Sequence, residues 1–256
     1  MGSIRAELGG AVAELLIDNP ARRNAMTAEM YAAVGPAVEG ILADPDVRVV
    51  ILRGVGDEAF GAGSDISEFL DRRLGDQASS YDAAEHDAWR AIAAIPVPCI
   101  AAIHGPCMGG GIALALHADI RIAADDALFS VPPARLGIAY PQEAVARLVE
   151  LVGPAEAKLL LYSAAVVPAH EAARIGLVQA VVPKAELDGH VAELAARISR
   201  LAPLTQRAAK LSVDSLTDAS LAADAAAARR KCYESADFRE GVEAFLDKRR
   251  PSFHGR

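Results

Sequence analysis

Two glycine-rich turns, each between an apolar run and a helix-like stretch, constrain this chain most. The first, Phe60-Gly61-Ala62-Gly63-Ser64-Asp65, follows the apolar run Val47 to Leu52 and its closing Gly54 and Gly56. The second, His104-Gly105-Pro106-Cys107-Met108-Gly109-Gly110-Gly111, follows the run Val97 to Ile103. Continuous apolar runs of this length read as strands covered on both faces, as in a parallel sheet. The glycines let the backbone turn sharply, and the start of each following helix leaves N–H groups unpaired. Each turn alone is also what a tight turn with a capped helix looks like, with Asp65 and Ser67 as the capping residues. Together, at the ends of neighbouring parallel strands, they can aim two N–H donors at one oxygen.

The rest of the chain extends this α/β reading. Residues 4–17 form two short strands around Gly9-Gly10, and Met30, Val34, Val38, Ile41 and Leu42 mark a helix opened by Thr27. A helical stretch covers residues 67–95, a helix covers 110–116, short strands follow at 120–123 and 127–130, and a helix runs over 143–151. After Pro183 the strand signal stops and only helices follow. The last of these places Phe238, Val242, Phe245 and Leu246 on one apolar face that needs a partner surface.

Composition narrows the function. The 256 residues are 52% hydrophobic but only 5% aromatic, so helices rich in Ala, Val, Leu and Ile pack on strands in a sizeable core. A net charge of -8 argues against broad binding of nucleic acid or an anionic membrane. Cys99, Cys107 and Cys232 have no metal-ligand spacing and point to a reducing compartment. The first residues carry neither a signal peptide nor a transit pattern, and prolines and glycines interrupt the apolar region 95–120, so cytoplasmic location is expected and a membrane helix is not.

The second turn is not a dinucleotide fingerprint, because Gly105 lacks a glycine two residues later and no acidic residue ends a strand at the usual distance. His86 with Asp87, His117 with Asp119, and Glu68 have no metal or triad spacing, so no metal is expected. Ser64 lacks the context of a nucleophile elbow. His104, where strand meets glycine loop, suits either a catalytic role or simple bonding to the backbone.

In order, Asn24-Ala25-Met26, Phe60 to Ile66, the triplet Gly109 to Gly111 with Asp119 eight residues beyond, Arg135-Leu136-Gly137, Ala173 to Val182, and Arg239-Glu240-Gly241 to Phe253 resemble the crotonase (enoyl-CoA hydratase/isomerase) superfamily over nearly the whole chain. The resemblance implies a spiral of strand-strand-helix repeats over residues 1–195 with an acyl-CoA site. It also implies a C-terminal helical region over 196–256 that assembles a homotrimer or dimer of trimers. It further implies an oxyanion hole from the N–H groups of Ala62 and Gly110, and coenzyme A contacts from Arg22, Ala62, Asp65 and Ile66. Coenzyme A would come as part of the substrate, with no separate cofactor. The terminal basic residues Lys248 and Arg249 suit either contact with a neighbouring subunit's phosphates or plain solvation.

The sequence departs from the hydratases at the acid and base. The two glutamates those enzymes use fall on Ala113 and Pro133, neither of which carries a proton. A further acid position used by isomerases is Pro141. The nearest carboxylate is Glu143, with Tyr140 beside it, and these two are the candidate catalytic side chains. The expected chemistry is isomerisation or decarboxylation through a thioester enolate. The alternatives are a hydratase using replacement residues and a non-catalytic acyl-CoA binder.

Overall fold

The computed structural model describes residues 2–75 and 78–256. β1 (Ser3–Gly9) and β2 (Val12–Asp18) form an antiparallel hairpin, and Gly10 takes the left-handed backbone that the turn needs, φ 70°. α1 (Ala28–Leu42) starts where the Thr27 hydroxyl accepts the Met30 N–H, and it buries Met30, Tyr31, Val34, Val38 and Ile41 at helical spacing. β3 (Val49–Gly54) follows, then α2 (Phe69–Arg72) and α3 (Ala78–Ala93). Among the described residues the predicted helical stretch 67–95 is made of the end of a 3-10 turn at Ile66–Glu68, then α2 and α3; its residues 76 and 77 lie outside them.

β4 (Cys99–Ile103), β5 (Pro106–Met108), α4 (Gly110–Leu116), β6 (Ile120–Ala124) and β7 (Leu128–Ser130) come next. The sequence reading missed β5, whose three residues lie inside the glycine turn. α5 (Gln142–Ser163) continues well beyond the predicted end at residue 151, through a break at Gly153, φ 78°. β8 (Val167–Pro168), α6 (Ala169–Arg174) and β9 (Ala180–Val182) complete the strand region. The helices α7 (Leu187–Ser199), α8 (Pro203–Asp214), α9 (Ala222–Glu234) and α10 (Ala236–Leu246) follow.

The main sheet has the order β1-β2-β3-β4-β6-β9, parallel from β2 onward, and a second sheet has the order β5-β7-β8. Alternation along the strands explains the two-sided core. Leu15, Leu52, Ala101 and Ile103 face the layer of α1, α3 and α4, while Val49, Ile51, Ile100, Ala102 and Ile122 face Leu187, Val191 and Ala195 of α7. The expected division at residue 195 therefore falls inside a helix that still covers the sheet. On α10, Phe238 and Val242 are half-exposed, with the Phe238 ring edge-on to Tyr233 (5.7 Å between centroids), and Phe245 and Leu246 are mostly exposed, which makes this an open apolar face. Among the described residues, no helix is long and apolar enough to cross a membrane. No group of three or more His, Cys, Asp or Glu is placed there to hold a metal.

Candidate active site

The first glycine turn is held from both sides. Toward residues 23–26, the Ala62 N–H donates to the Arg23 carbonyl (2.9 Å), the Met26 N–H to Gly63 (2.8 Å) and the Asp65 N–H to Met26 (2.7 Å). Toward the second turn, the Gly61 N–H donates to Pro106 (3.1 Å) and the Met108 N–H to Gly61 (2.9 Å). Asn24, buried and at φ 57°, holds the approach by donating to the carbonyls of Val55 and Ala59. This explains why Asn24 and the turn belong to one motif.

In such parallel bridging, the residue between the two bonded positions turns its N–H to the other side. That residue is Ser64, opposite Met26, and its nitrogen lies close to Gly110: a Cβ built on Gly110 would lie 3.2 Å from it. Among the described residues, no acceptor takes the N–H of Ser64 or of Gly110, the first residue of α4. The donor expected at Ala62 is corrected on this point, because its N–H is already spent on Arg23. The pair free to meet an oxygen is Ser64 and Gly110. A one-sided strand partnership, invisible in the residue types, decides which N–H is free.

These two groups open into a cleft of about 80 Å³, lined among others by Pro133, Tyr140, Trp89, Arg73 and Glu85. Pro133 is buried and Ala113 fully buried, and neither of these positions, which the resemblance matches to the hydratase glutamates, carries a carboxylate. Tyr140 is present, and its hydroxyl donates to the Gly109 carbonyl at 2.9 Å. Glu143 is not among the lining residues. Its carboxylate, on the first turn of α5, pairs instead with Arg90 (3.4 Å) and His86 (3.8 Å) of α3. His104 lies at the end of β4, buried, with a lowered pKa caused first by burial and then by Arg53 and Lys184, and it does not line the cleft.

The carboxylate the cleft does contain is Glu85, 2% exposed. It accepts a hydrogen bond from the Ser64 hydroxyl at 2.9 Å and pairs with the Arg73 guanidinium, which lies over the rings of Phe69 (4.7 Å) and Tyr81 (4.4 Å). Because Ser64 donates to Glu85, the Tyr31 hydroxyl, 2.9 Å away, donates to Ser64. Burial pushes the Glu85 carboxyl above its ordinary value of 4.5, against the pull of Arg73. The sequence carried a signal for it: on α3 the buried face is Tyr81, Glu85, Ala88, Trp89 and Ile92, one charge set among apolar positions. On the same wall, Nε of Arg73 and the indole N–H of Trp89 are buried without an acceptor among the described residues.

At the mouth, the Arg22 guanidinium pairs with Asp65 and bonds Ser67 (3.1 Å), next to the exposed Ala62 and Ile66. Bonds from Ser67, then from Arg22, hold the Asp65 carboxyl below the usual carboxylate range despite its burial. The structure thus brings Arg22, Ala62, Asp65 and Ile66 together on one rim.

The sequence profile of the enoyl-CoA hydratase/isomerase family matches residues 7–256. The chain is 38% identical over 245 residues to a crotonyl-CoA hydratase of Syntrophomonas wolfei, covering 94% of each chain. It is 32% identical to a short-chain-enoyl-CoA hydratase of Clostridium acetobutylicum over 98% of this chain and 97% of that one. Its structure is similar to that of an enoyl-CoA hydratase/carnithine racemase from Magnetospirillum magneticum, with a TM-score of 0.93 and 37% identity over 100% of this chain and 97% of that chain. The chain belongs to the enoyl-CoA hydratase/isomerase family of the crotonase superfamily.

Proposed function

We propose that this chain is an acyl-CoA enzyme that holds a thioester carbonyl between the N–H groups of Ser64 and Gly110 and stabilises its enolate. The observation that carries this reading is the convergence of two unpaired backbone donors above a buried cleft. Removing one such donor typically costs about 2.7–4 kcal/mol of transition-state stabilisation. The rim of Arg22, Ala62, Asp65 and Ile66 is then the coenzyme A side of the site, and the cleft beside Tyr140 and Trp89 takes the acyl group.

The reaction is isomerisation or decarboxylation rather than hydration by a glutamate pair, because Ala113 and Pro133 leave no carboxylates to activate water and protonate carbon. Isomerisation needs one group that moves a proton. Decarboxylation is the second reading, favoured by the unpaired donors Arg73 Nε and Trp89 Nε1, which suit a substrate carboxylate. Incubation with crotonyl-, 3-enoyl- and methylmalonyl-CoA, followed by mass spectrometry, separates these. Rapid hydration of crotonyl-CoA defeats the reading, and tight binding without turnover of any of them makes the chain a non-catalytic binder. Assembly as a homotrimer or dimer of trimers rests on the exposed apolar face of α10, and light scattering of the purified chain tests it.

A further inference from the structure

We propose that Glu85 is the proton-transfer group of this site, taking the proton from the carbon next to the thioester carbonyl and returning it to the acyl chain. The assignment rests on the enolate reading and names the residue that performs its proton step. Three observations place Glu85 there: it lines the cleft, it is 2% exposed, and it accepts the hydroxyl hydrogen bond of Ser64, the residue whose N–H is proposed to meet the carbonyl. A carbonyl oxygen on the Ser64 N–H brings the neighbouring carbon to the same wall.

The step balances without another reactant. The Cα–H bond breaks and its electron pair forms the Cα–C double bond, while the carbonyl π pair moves onto the oxygen between Ser64 and Gly110. The proton goes to a Glu85 oxygen. In a 3-enoyl thioester, return of that proton to C4 moves the double bond from C3–C4 to C2–C3 and regenerates the carboxylate.

The surroundings suit a group that must both hold and release a proton. Burial disfavours the charged form, and Arg73 keeps it accessible. The other titratable groups around it are Tyr31 of α1, Tyr81 and Asp82 of α3, and Tyr140. The hydroxyls of Tyr31 and Tyr81 are raised by burial, so both stay protonated through the neutral range. The Ser64 hydroxyl, fed by Tyr31 and donating to Glu85, fixes the carboxylate's orientation.

The test is deuterium exchange at C2 of butyryl-CoA in D2O, read by mass spectrometry, together with the dissociation constant of butyryl-CoA. The wild-type chain is expected to exchange C2, with a rate that rises with pH through one ionisation lying above the ordinary carboxyl value of 4.5. Glu85→Gln is expected to lower exchange at least about 100-fold while leaving the dissociation constant within about three-fold. Should Glu85→Gln fail to fold, the double variant Glu85→Gln with Arg73→Gln, which removes both buried charges, carries the same expectation. Exchange within about five-fold of wild type in either folded variant overturns the assignment of Glu85 and leaves the enolate reading standing. Wild-type binding without exchange overturns both the assignment and the enolate chemistry but keeps the acyl-CoA site. Absence of binding removes the site itself.

Discussion

The Tyr140 hydroxyl donates to the carbonyl of Gly109 at 2.9 Å, and that carbonyl belongs to the same peptide group as the Gly110 N–H. Because a peptide is planar, its C=O and N–H point in opposite directions, so fixing one fixes the other. Tyr140 therefore sets the direction of a donor proposed to meet the thioester oxygen. Tyr140→Phe removes one hydrogen bond, about 1 kcal/mol. It is expected to lower kcat about five-fold with little change in acyl-CoA binding, and a change in binding alone would contradict this.

Gly110 must lack a side chain. A Cβ there would overlap the Tyr31 hydroxyl and meet the Ser64 hydroxyl at 2.8 Å. Gly110→Ala is expected to cost about 1–3 kcal/mol of stability by overpacking, read as a lowered midpoint in urea, and to abolish turnover. Adding Tyr31→Phe, which removes the nearest clashing atom, recovers part of that stability, whereas independent additive losses would refute the contact.

Glu143 is bound to its neighbours on α3 and stands outside the cleft. Its pairs are partly exposed, so each contributes at most about 1 kcal/mol. Glu143→Gln is expected to leave kcat and KM within about two-fold, and a loss of turnover beyond ten-fold would return this residue to the mechanism.

Glu85 makes stability depend on pH with a definite sign. Its carboxyl is raised above the ordinary 4.5 by burial, opposed by Arg73, so in the window above 4.5 the folded chain holds more protons than the unfolded one. Stability from this group is greatest at and below that value and declines as pH rises through the raised folded pKa. Glu85→Gln does not titrate. The difference in unfolding free energy, wild type minus variant, should fall as pH rises from 4.5 and then level off, in urea titrations at several pH values. A difference that grows with pH reverses the sign and refutes the cause.

Arg22 sits largely exposed on the rim, paired with the buried Asp65. Arg22→Ala is expected to weaken acyl-CoA binding about two- to five-fold, with the effect fading at high salt. Binding of the matching acyl-pantetheine, which lacks the nucleotide phosphates, should not change, and an equal loss for both ligands would place Arg22 elsewhere in the site.

The sequence by itself determined the α/β alternation, the two glycine turns and the absence of both hydratase carboxylates. Each is carried by local signals: apolar periodicity along α1 and the sheet strands, glycine where φ is positive, and the identities of Ala113 and Pro133. Only the tertiary structure decided which groups in those turns are free. The Ala62 N–H is lost to Arg23 and the Ser64 N–H is left unpaired among the described residues because residues 23–26, with Met26 bridged to Ser64, take one side of the turn. Glu85 and Glu143 are both helix carboxylates in sequence. Packing made one a buried acid beside Ser64 and Arg73 and the other a partly exposed charge beside Arg90, since long-range contacts set the local dielectric and the partner that each carboxylate meets.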